Sequence, residues 1–229
     1  MKSIPLISIL CLILSFTSHA QDWDYVSPDY EVIKLNIEDK NSNLYYESLM
    51  DRYLEGDSTF TLEEKRHLYY GYIYHDNYTP YPHSEYNDSL RAIMESKNYD
   101  KTALEKIIYF GEMMVKSNPF DFNAINYQMY ALDKIGDNKT LQIKMTQVRL
   151  LVDALMSSGI GTEKENAFYV INTAHEYFLL NILGFKFGGE QSLVGHYDYL
   201  SVEKNDAEVE GLYFDVSPCL NALSKTLGK

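Results

Sequence analysis

The chain has 229 residues, of which 45% are hydrophobic and 23% charged, so its composition is that of a globular protein and excludes a disordered or collagen-like chain. Lys and Arg number 20 against 33 Asp and Glu, which gives a formal net charge of -13. A surface this acidic repels phosphate groups, so we expect neither nucleic-acid binding nor a purely electrostatic attraction to anionic lipid.

The first twenty residues have the features of a secretory signal peptide. Lys2 supplies the positive start, residues 4–16 form an almost unbroken apolar core, and Ser18 and Ala20 are small residues at the two positions that a signal peptidase reads. We predict cleavage after Ala20, a single mature domain of residues 21–229, and export to the periplasm or the cell exterior. A transmembrane anchor is the alternative, but the apolar run is shorter than the ~20 residues that cross a bilayer, and no later segment is apolar enough to span one.

Cysteine usage fits export without disulfides. The chain has 2 Cys, and Cys11 lies inside the signal, where it follows Leu10 instead of the small residue that lipoprotein processing would require. After signal removal only Cys219 remains, so the mature monomer has no internal disulfide and must be stabilised by its core. We expect Cys219 to be a small buried side chain rather than a nucleophile.

The first part of the mature chain predicts two helices. Ser27 is a capping residue in front of Pro28, which stands at the first position of a short helix. A second helix is predicted over residues 43–54, with Gly56 ending it.

A third helix and a loop follow. Thr61 and Glu64 have the spacing of a capping box, which predicts a helix through Tyr72. Residues 76–84 contain two prolines, which block helix formation, so we predict an ordered loop there.

The middle third predicts three amphipathic helices with clear boundaries. Asp100 caps the first, which ends before Pro119; the second runs from about Asp121 to Gly136; and Asn138 caps the third, which ends near Gly159. Each apolar stripe covers one face only, so these helices must pack against one another.

The positions of Pro119 and of Gly136 with Asp137 resemble the tetratricopeptide repeat, in which a proline and a similar turn separate successive helices. The likeness covers about one and a half units of ~34 residues and departs from the consensus at the tryptophan and tyrosine positions. We therefore predict a degenerate tetratricopeptide-like helical array over residues 27–158, with a generic helical bundle as the alternative.

After Gly161 the chain becomes rich in aromatic and β-branched residues. We predict four strands, at residues 167–172, 177–183, 197–202 and 212–216, that form a small antiparallel β-meander within residues 166–217. A closing helix is predicted over residues 218–227. The predicted fold class is α+β, with the helical array first and the meander and closing helix after it.

Three segments, residues 64–72, 78–81 and 211–216, resemble a family of secreted proteins of Gram-negative gut bacteria that is known only as a domain of unknown function. The resemblance covers nearly the whole mature chain. It implies export and a single domain, and it brings no activity and no catalytic residues.

Tyrosine, with 21 residues, is the compositional outlier, and the helix that follows Thr61 and its loop are crowded with tyrosine and histidine. Tyrosine provides rigid contact area with a hydrogen-bonding end, which suits peptide or sugar recognition, although aromatic stripes more often build cores. The candidate binding residues are Arg66, His67, Tyr70, Tyr74, His75, Tyr78, Tyr81 and His83.

We predict no metal ion and no cofactor. His67 and His75 are eight residues apart, too far along a straight helix for joint ligation, and no zinc-protease motif is present. A second loose set consists of the adjacent His175 and Glu176 with His196 and Asp198. We interpret these histidines as structural.

No nucleophile elbow or phosphate-binding loop occurs in the chain, so no catalytic residue is assigned. Helical arrays present surfaces to other chains, and the hypothesis we favour is a binding or scaffold module for a polypeptide partner, with a sugar as the second ligand class. The alternative is a periplasmic or extracellular hydrolase, with an acid-base site where Arg66 and His67 meet the Asp76–His83 loop.

Overall fold

The computed structural model describes residues 25–228, so the predicted signal peptide lies outside the described residues. The described chain separates into two compact units. The helical unit comprises Asp51–Thr59 and Pro82–Leu150, and the sheet unit comprises residues 25–50, Phe60–Tyr81 and residues 151–228. The prediction of one mature domain stays a prediction.

Nine α-helices occur within residues 25–228. They are α1 Tyr30–Glu38, α2 Tyr46–Glu55, α3 Leu62–Gly71, α4 Tyr86–Ser96, α5 Lys101–Ser117, α6 Phe122–Ile135, α7 Asn138–Met156, α8 Ala174–Ile182 and α9 Ser217–Leu227. Single 3-10 turns cover Tyr72–Tyr74 and Lys164–Asn166. No helix in this part of the chain is both long enough and apolar enough to cross a membrane.

Side-chain caps set most of the helix starts that the sequence predicted. Thr61 and Glu64 form the complete capping box of α3, and the carboxylates of Asp100 and Asp121 accept hydrogen bonds from Ala103 and Ala124 at the starts of α5 and α6. These starts are confirmed.

Two predicted caps were wrong by one or two residues. Asp29, not Ser27, caps α1 by accepting from the Val32 N–H at 3.1 Å. Asp137, not Asn138, accepts from the Thr140 N–H at 3.1 Å at the start of α7. In both places a carboxylate stands within two residues of the predicted polar cap and reaches the free amide instead.

The helical unit contains a core between α4, α5 and α6, built from residues such as Leu90, Ile107 and Ala131. Gly111 allows α5 and α6 to approach closely, because a Cβ there would lie 2.4 Å from Cγ of Gln128. Helix α4 was not among the predicted helices, although its apolar residues meet the same core. The helical hairpins agree with a helical array, and the tetratricopeptide likeness stays a resemblance.

The sheet unit contains four strands, β1 Phe168–Tyr169, β2 Phe187–Val194, β3 Tyr197–Val202 and β4 Gly211–Asp215, in the spatial order β1-β4-β3-β2. Strands β2, β3 and β4 are antiparallel neighbours, whereas β1 pairs with β4 in parallel. The α+β class is therefore confirmed, but the sheet is mixed and not a purely antiparallel meander.

Two strand predictions were also misplaced. Residues 177–183 lie almost wholly in α8, which is buried on several sides, so an apolar aromatic run that resembles a strand belongs to a buried helix. Residues 187–194 form β2, although Gly188 and Gly189 had indicated a turn. Gly189 has a φ of +97° and lies where the β2–β3 register shifts, so these glycines form a bulge inside a strand.

Candidate functional site

The first two predicted site residues, Arg66 and His67, are engaged within the sheet unit. The Arg66 guanidinium donates to Ser157 Oγ and to the Val26 carbonyl, both at 2.7 Å, and lies 5.5 Å from the centre of the Tyr70 ring. His67 is buried, with Nδ1 2.9 Å from the Glu63 carbonyl and Nε2 3.0 Å from the Asn36 amide nitrogen. Since the carbonyl only accepts, His67 carries its hydrogen on Nδ1, and Nε2 accepts from Asn36.

Three predicted tyrosines donate their hydroxyl hydrogens to backbone carbonyls of the same unit. Tyr70 reaches the Ala154 carbonyl at 3.2 Å, Tyr74 the Tyr30 carbonyl at 2.9 Å, and Tyr78 the Ile171 carbonyl at 2.8 Å. Tyr70 is fully buried. These hydroxyls therefore form hydrogen bonds within the sheet unit.

The remaining three predicted site residues differ in exposure. His75 is half-buried, stacks on Tyr72 at 5.5 Å, and accepts from the Asn77 N–H at 3.1 Å. Tyr81 is 50% exposed, and His83 is exposed in the helical unit.

A different pair of side chains in the sheet unit breaks the usual rule for buried polar groups. Glu176, on α8, has a relative exposure of 0%, and Asp198, the second residue of β3, has one of 6%. Both Glu176 carboxyl oxygens and Asp198 Oδ1 are buried without a hydrogen-bond donor among the described residues. Such orphaned oxygens are rare in folded proteins and need an explanation.

Protonation of Glu176 explains them. Burial and then the neighbouring Asp198 carboxylate raise the pKa of Glu176 to about 9. At neutral pH Glu176 is therefore a carboxylic acid, whose O–H can donate to Asp198, while two carboxylates would have no donor between them. The pair is best described as an acid and a carboxylate that share one proton.

Polar side chains connect this acid pair to the surface. Gln191 of β2 donates from Nε2 to Asp198 Oδ2 at 2.6 Å and accepts at Oε1 from the Tyr177 hydroxyl at 2.6 Å. The Tyr177 ring also packs edge-on against Phe187, with 5.4 Å between centroids. Gln191 and Tyr177 thus attach β2 to both β3 and α8.

Cys219 and Tyr81 also lie close to the acid pair. Burial, followed by the nearby Glu176, raises the pKa of the Cys219 thiol to about 12, so this buried thiol is unreactive at neutral pH. Burial raises the pKa of Tyr81 as well, and Cys219, Glu176 and Asp198 add to this rise. Three or more metal-ligating side chains do not come together anywhere in residues 25–228.

The two edges of the sheet differ. At the β1 edge, the Tyr169 N–H donates to Ser158 Oγ at 2.9 Å, so the edge is occupied. At the β2 edge, all eight residues are exposed, and among the described residues no backbone hydrogen bond from outside the β2–β3 pair reaches Phe187–Val194. Strand β2 is therefore an open edge.

The register shows which backbone groups of β2 are free. Val194 and Tyr197 flank the two-residue turn at Gly195, which has a φ of +68°, and form the closing hydrogen-bonded pair of the hairpin. Hydrogen-bonded and non-hydrogen-bonded pairs alternate along an antiparallel ladder. Leu193 and Gln191 are thus in non-hydrogen-bonded positions, and their N–H and C=O groups point away from β3.

Neighbouring bonds confirm this alternation. The Glu203 N–H donates towards β2, to the Lys186 carbonyl at 2.8 Å, whereas the Val202 N–H donates in the opposite direction, to the Glu210 carbonyl at 2.9 Å. Odd-numbered residues of β3 therefore pair with β2 and even-numbered residues with β4. Asp198 lies opposite Leu193, and its backbone N–H and C=O groups therefore bond to β4 and not to β2.

Among the sequence predictions, Glu176 and Asp198 appear only within a loose histidine and carboxylate set, and Gln191 does not appear. One signal was present: Asp198, Leu200 and Val202 are alternate residues of β3 and lie on its buried face. The carboxylate therefore had to be on the buried face. Nothing local indicated that Glu176 of another element would meet it there.

Comparison with known proteins supplies the family. No curated protein and no solved structure was found to match the chain. The profile of the family described as "Domain of unknown function (DUF4919)" matches residues 31–225, which is most of the chain. The predicted resemblance to a domain of unknown function is confirmed at that level, while the secreted, gut-bacterial character stays a prediction. The chain belongs to the DUF4919 family.

Proposed function

We propose that the protein binds a polypeptide in extended conformation by strand addition at β2. The observation that carries the proposal is the open edge, at which Gln191 and Leu193 direct unpaired backbone N–H and C=O groups outwards. A peptide that lies along this edge would pair with those groups as a fifth strand, and main-chain hydrogen bonds would supply the affinity.

The usable edge is short. The register of β2 shifts between Phe187 and Gln191, so regular pairing extends only over residues 191–194. This stretch contains no charge and no proline, the two features that commonly protect edge strands. A partner segment of about four residues fits this stretch. The bulge would also prevent longer strands, such as β2 of another copy, from pairing along the whole edge and causing aggregation.

Side chains at the edge would give specificity. Leu193 is 53% exposed and Val194 54% exposed, and as neighbours in a strand they lie on opposite faces of the sheet. An added strand would place its own side chains beside one or the other. Two adjacent apolar residues of the partner, one on each face, would cover both, and pairing of individual side chains in this way is the usual source of selectivity in strand addition.

Binding tests this proposal, with random nine-residue peptides displayed on phage as the probe and one selected peptide titrated against variants. Leu193→Pro removes the outward N–H, and proline is tolerated on edge strands where the N–H faces solvent. We expect it to weaken binding at least about tenfold, that is by ~1.4 kcal/mol. Leu193→Ala removes the side chain, keeps the N–H, and should cost less.

Ser192→Pro is the matched control for geometry, because its N–H faces β3 and its loss should destabilise the hairpin itself. Equal binding by wild type and Leu193→Pro, or failure of the library to yield a binder, would overturn the proposal.

Export is part of the same proposal. The apolar segment of residues 4–16 and the small residues before Gln21 support it. N-terminal sequencing of the protein from its host should begin at Gln21, and an intact Met1 would contradict export by this signal. The rival hydrolase at Arg66 and His67 lacks similar support, because both side chains already bond to their own unit.

A further inference from the structure

We infer that Glu176 is a positioning residue for the β2 edge, and that the proton it shares with Asp198 keeps Gln191, and with it the peptide-binding backbone, in place. The inference rests on the proposed function and adds its regulation. It starts from the contacts that join α8, β3 and β2 in one continuous chain of polar groups.

The chain of contacts has three links. The Glu176 carboxyl meets Asp198, whose Oδ2 accepts from Gln191 Nε2 at 2.6 Å, and Gln191 Oε1 accepts from Tyr177 at 2.6 Å. Gln191 is also one of the two residues that direct backbone groups outwards. A change at the buried end of this chain therefore reaches the open edge through a single side chain.

The buried end depends on one proton. Neither Glu176 oxygen has a donor among the residues described, and Asp198 Oδ1 has none either. With the proton present, Glu176 donates to Asp198 and leaves Oδ2 free to hold Gln191. Without it, two negative charges face each other in a dry environment, a state that proteins avoid by separation of the groups or entry of water.

The groups that face Glu176 offer no compensation. They are Asp198 from β3, Cys219 from α9, Tyr81 from the loop and Tyr177 from α8 itself, and none of these four carries a positive charge. Loss of the proton would therefore be relieved by movement of Asp198, and β3 and Gln191 would move with it. The pKa of about 9 places this event in the alkaline range.

Methyl NMR of Leu193 and Val194 tests the inference without any peptide, because methyl signals stay visible at high pH. In wild type we expect both signals to shift in one step as the pH rises past 9. Glu176→Gln keeps an N–H donor towards Asp198 at every pH, so the same signals should show no such step. Both proteins contain the same tyrosines, but burial and, in addition, the Glu176 charge raise the pKa of Tyr81 and Tyr177, so tyrosinate absorbance is followed in the same titrations to separate tyrosine ionisation from the Glu176 step.

Asp198→Asn provides a second variant. It replaces the facing charge with a donor and should move the step to lower pH, because the ionised form of Glu176 then gains a partner. Titration of the selected peptide at pH 7 and 10 completes the test. Wild type should lose affinity about tenfold and Glu176→Gln clearly less.

Identical methyl titrations in wild type and Glu176→Gln would overturn the inference, whatever the peptide does. A pH-dependent shift of the methyl signals in wild type, with no peptide binding, would refute the proposed function and its regulation together. An unchanged peptide affinity in wild type from pH 7 to 10, with the methyl step present, would show that the edge does not sense the proton and would also overturn the inference.

Discussion

Two groups of buried polar side chains in the sheet unit follow opposite rules. Around α3, the polar atoms of His67, Tyr69 and Tyr70 all meet hydrogen-bond partners. In the Glu176–Asp198 pair, three carboxyl oxygens lack a donor among the described residues. The buried His67, Tyr69 and Tyr70 are therefore hydrogen-bonded core, and the inconspicuous acid pair is a place where the chain accepts an energetic cost. Such departures from local consistency tend to occur at functional sites.

The largest expected effect is on the pH dependence of stability, which distinguishes the acid pair from ordinary carboxylates. The pKa of Glu176 is raised in the folded state, to about 9 from 4.5, so the folded state binds an extra proton between these values. The contribution of Glu176 to the free energy of unfolding is therefore fully present below about pH 4.5. It falls as the pH rises towards 9, by up to ~1.4 kcal/mol per pH unit. Glu176→Gln removes this loss, so urea unfolding should show it gaining stability over wild type from pH 5 to pH 9.

Glu95→Gln is the control, since Glu95 is exposed on α4. It should follow the pH profile of wild type. If Glu176→Gln and Glu95→Gln both follow that profile, Glu176 holds no extra proton and the contrast between the two groups disappears.

A smaller effect is expected from a break in the satisfied group. The Tyr69 hydroxyl is 2.7 Å from His175 Nδ1 and accepts from the Ile171 N–H at 3.4 Å. Tyr69→Phe removes this buried hydroxyl together with both of its hydrogen bonds, so we expect a loss of about 1–3 kcal/mol in the free energy of unfolding. Denaturant unfolding at pH 7 measures it.

Tyr81→Phe makes the same chemical change on a half-exposed ring and should shift the free energy of unfolding by less than about 0.5 kcal/mol. A loss for Tyr69→Phe no larger than for Tyr81→Phe would mean that the α3 cluster is not a cooperative hydrogen-bonded core.

The smallest stability effect is expected at the surface end of the acid pair's connection. Tyr177→Phe removes the donor to Gln191 Oε1, but Gln191 is exposed and water can replace the lost bond. The free energy of unfolding should fall by less than about 1 kcal/mol. Peptide binding at β2 should weaken by more than this loss of stability alone implies, and unchanged peptide affinity would show that Tyr177 does not position the edge.

Local signals in the sequence were sufficient wherever a helix start or a loop depends on neighbouring residues. The capping box of Thr61 and Glu64, the cap at Asp100 and the two-proline loop all rest on interactions within a few residues, and the structure has them as predicted. The strand pattern of residues 197–202 was equally legible, because alternation within one strand reports its own buried face.

Burial and pairing between distant segments decided the rest. Residues 177–182 have the composition of a strand, yet they form a helix. That helix is buried on several sides, which explains why its apolar run resembles a strand. Gly188 and Gly189 were a turn by local rules and became a bulge because β3 pairs beyond them. The candidate site depends on such pairing, since Glu176 and Asp198 lie on different elements and become unusual only when brought together.

The sequence by itself determined the acidic character of the chain, the α+β class, most helix boundaries and the structural interpretation of Cys219, since each depends on composition or on contacts a few residues apart. The tertiary structure alone decided which polar groups are satisfied and which sheet edge is open. Those properties arise from long-range packing, in which a hydroxyl such as that of Tyr70 finds a carbonyl 84 residues away and an acid such as Glu176 finds no donor among the described residues. Hydrogen-bond satisfaction is a property of the folded neighbourhood, and no local pattern encodes it.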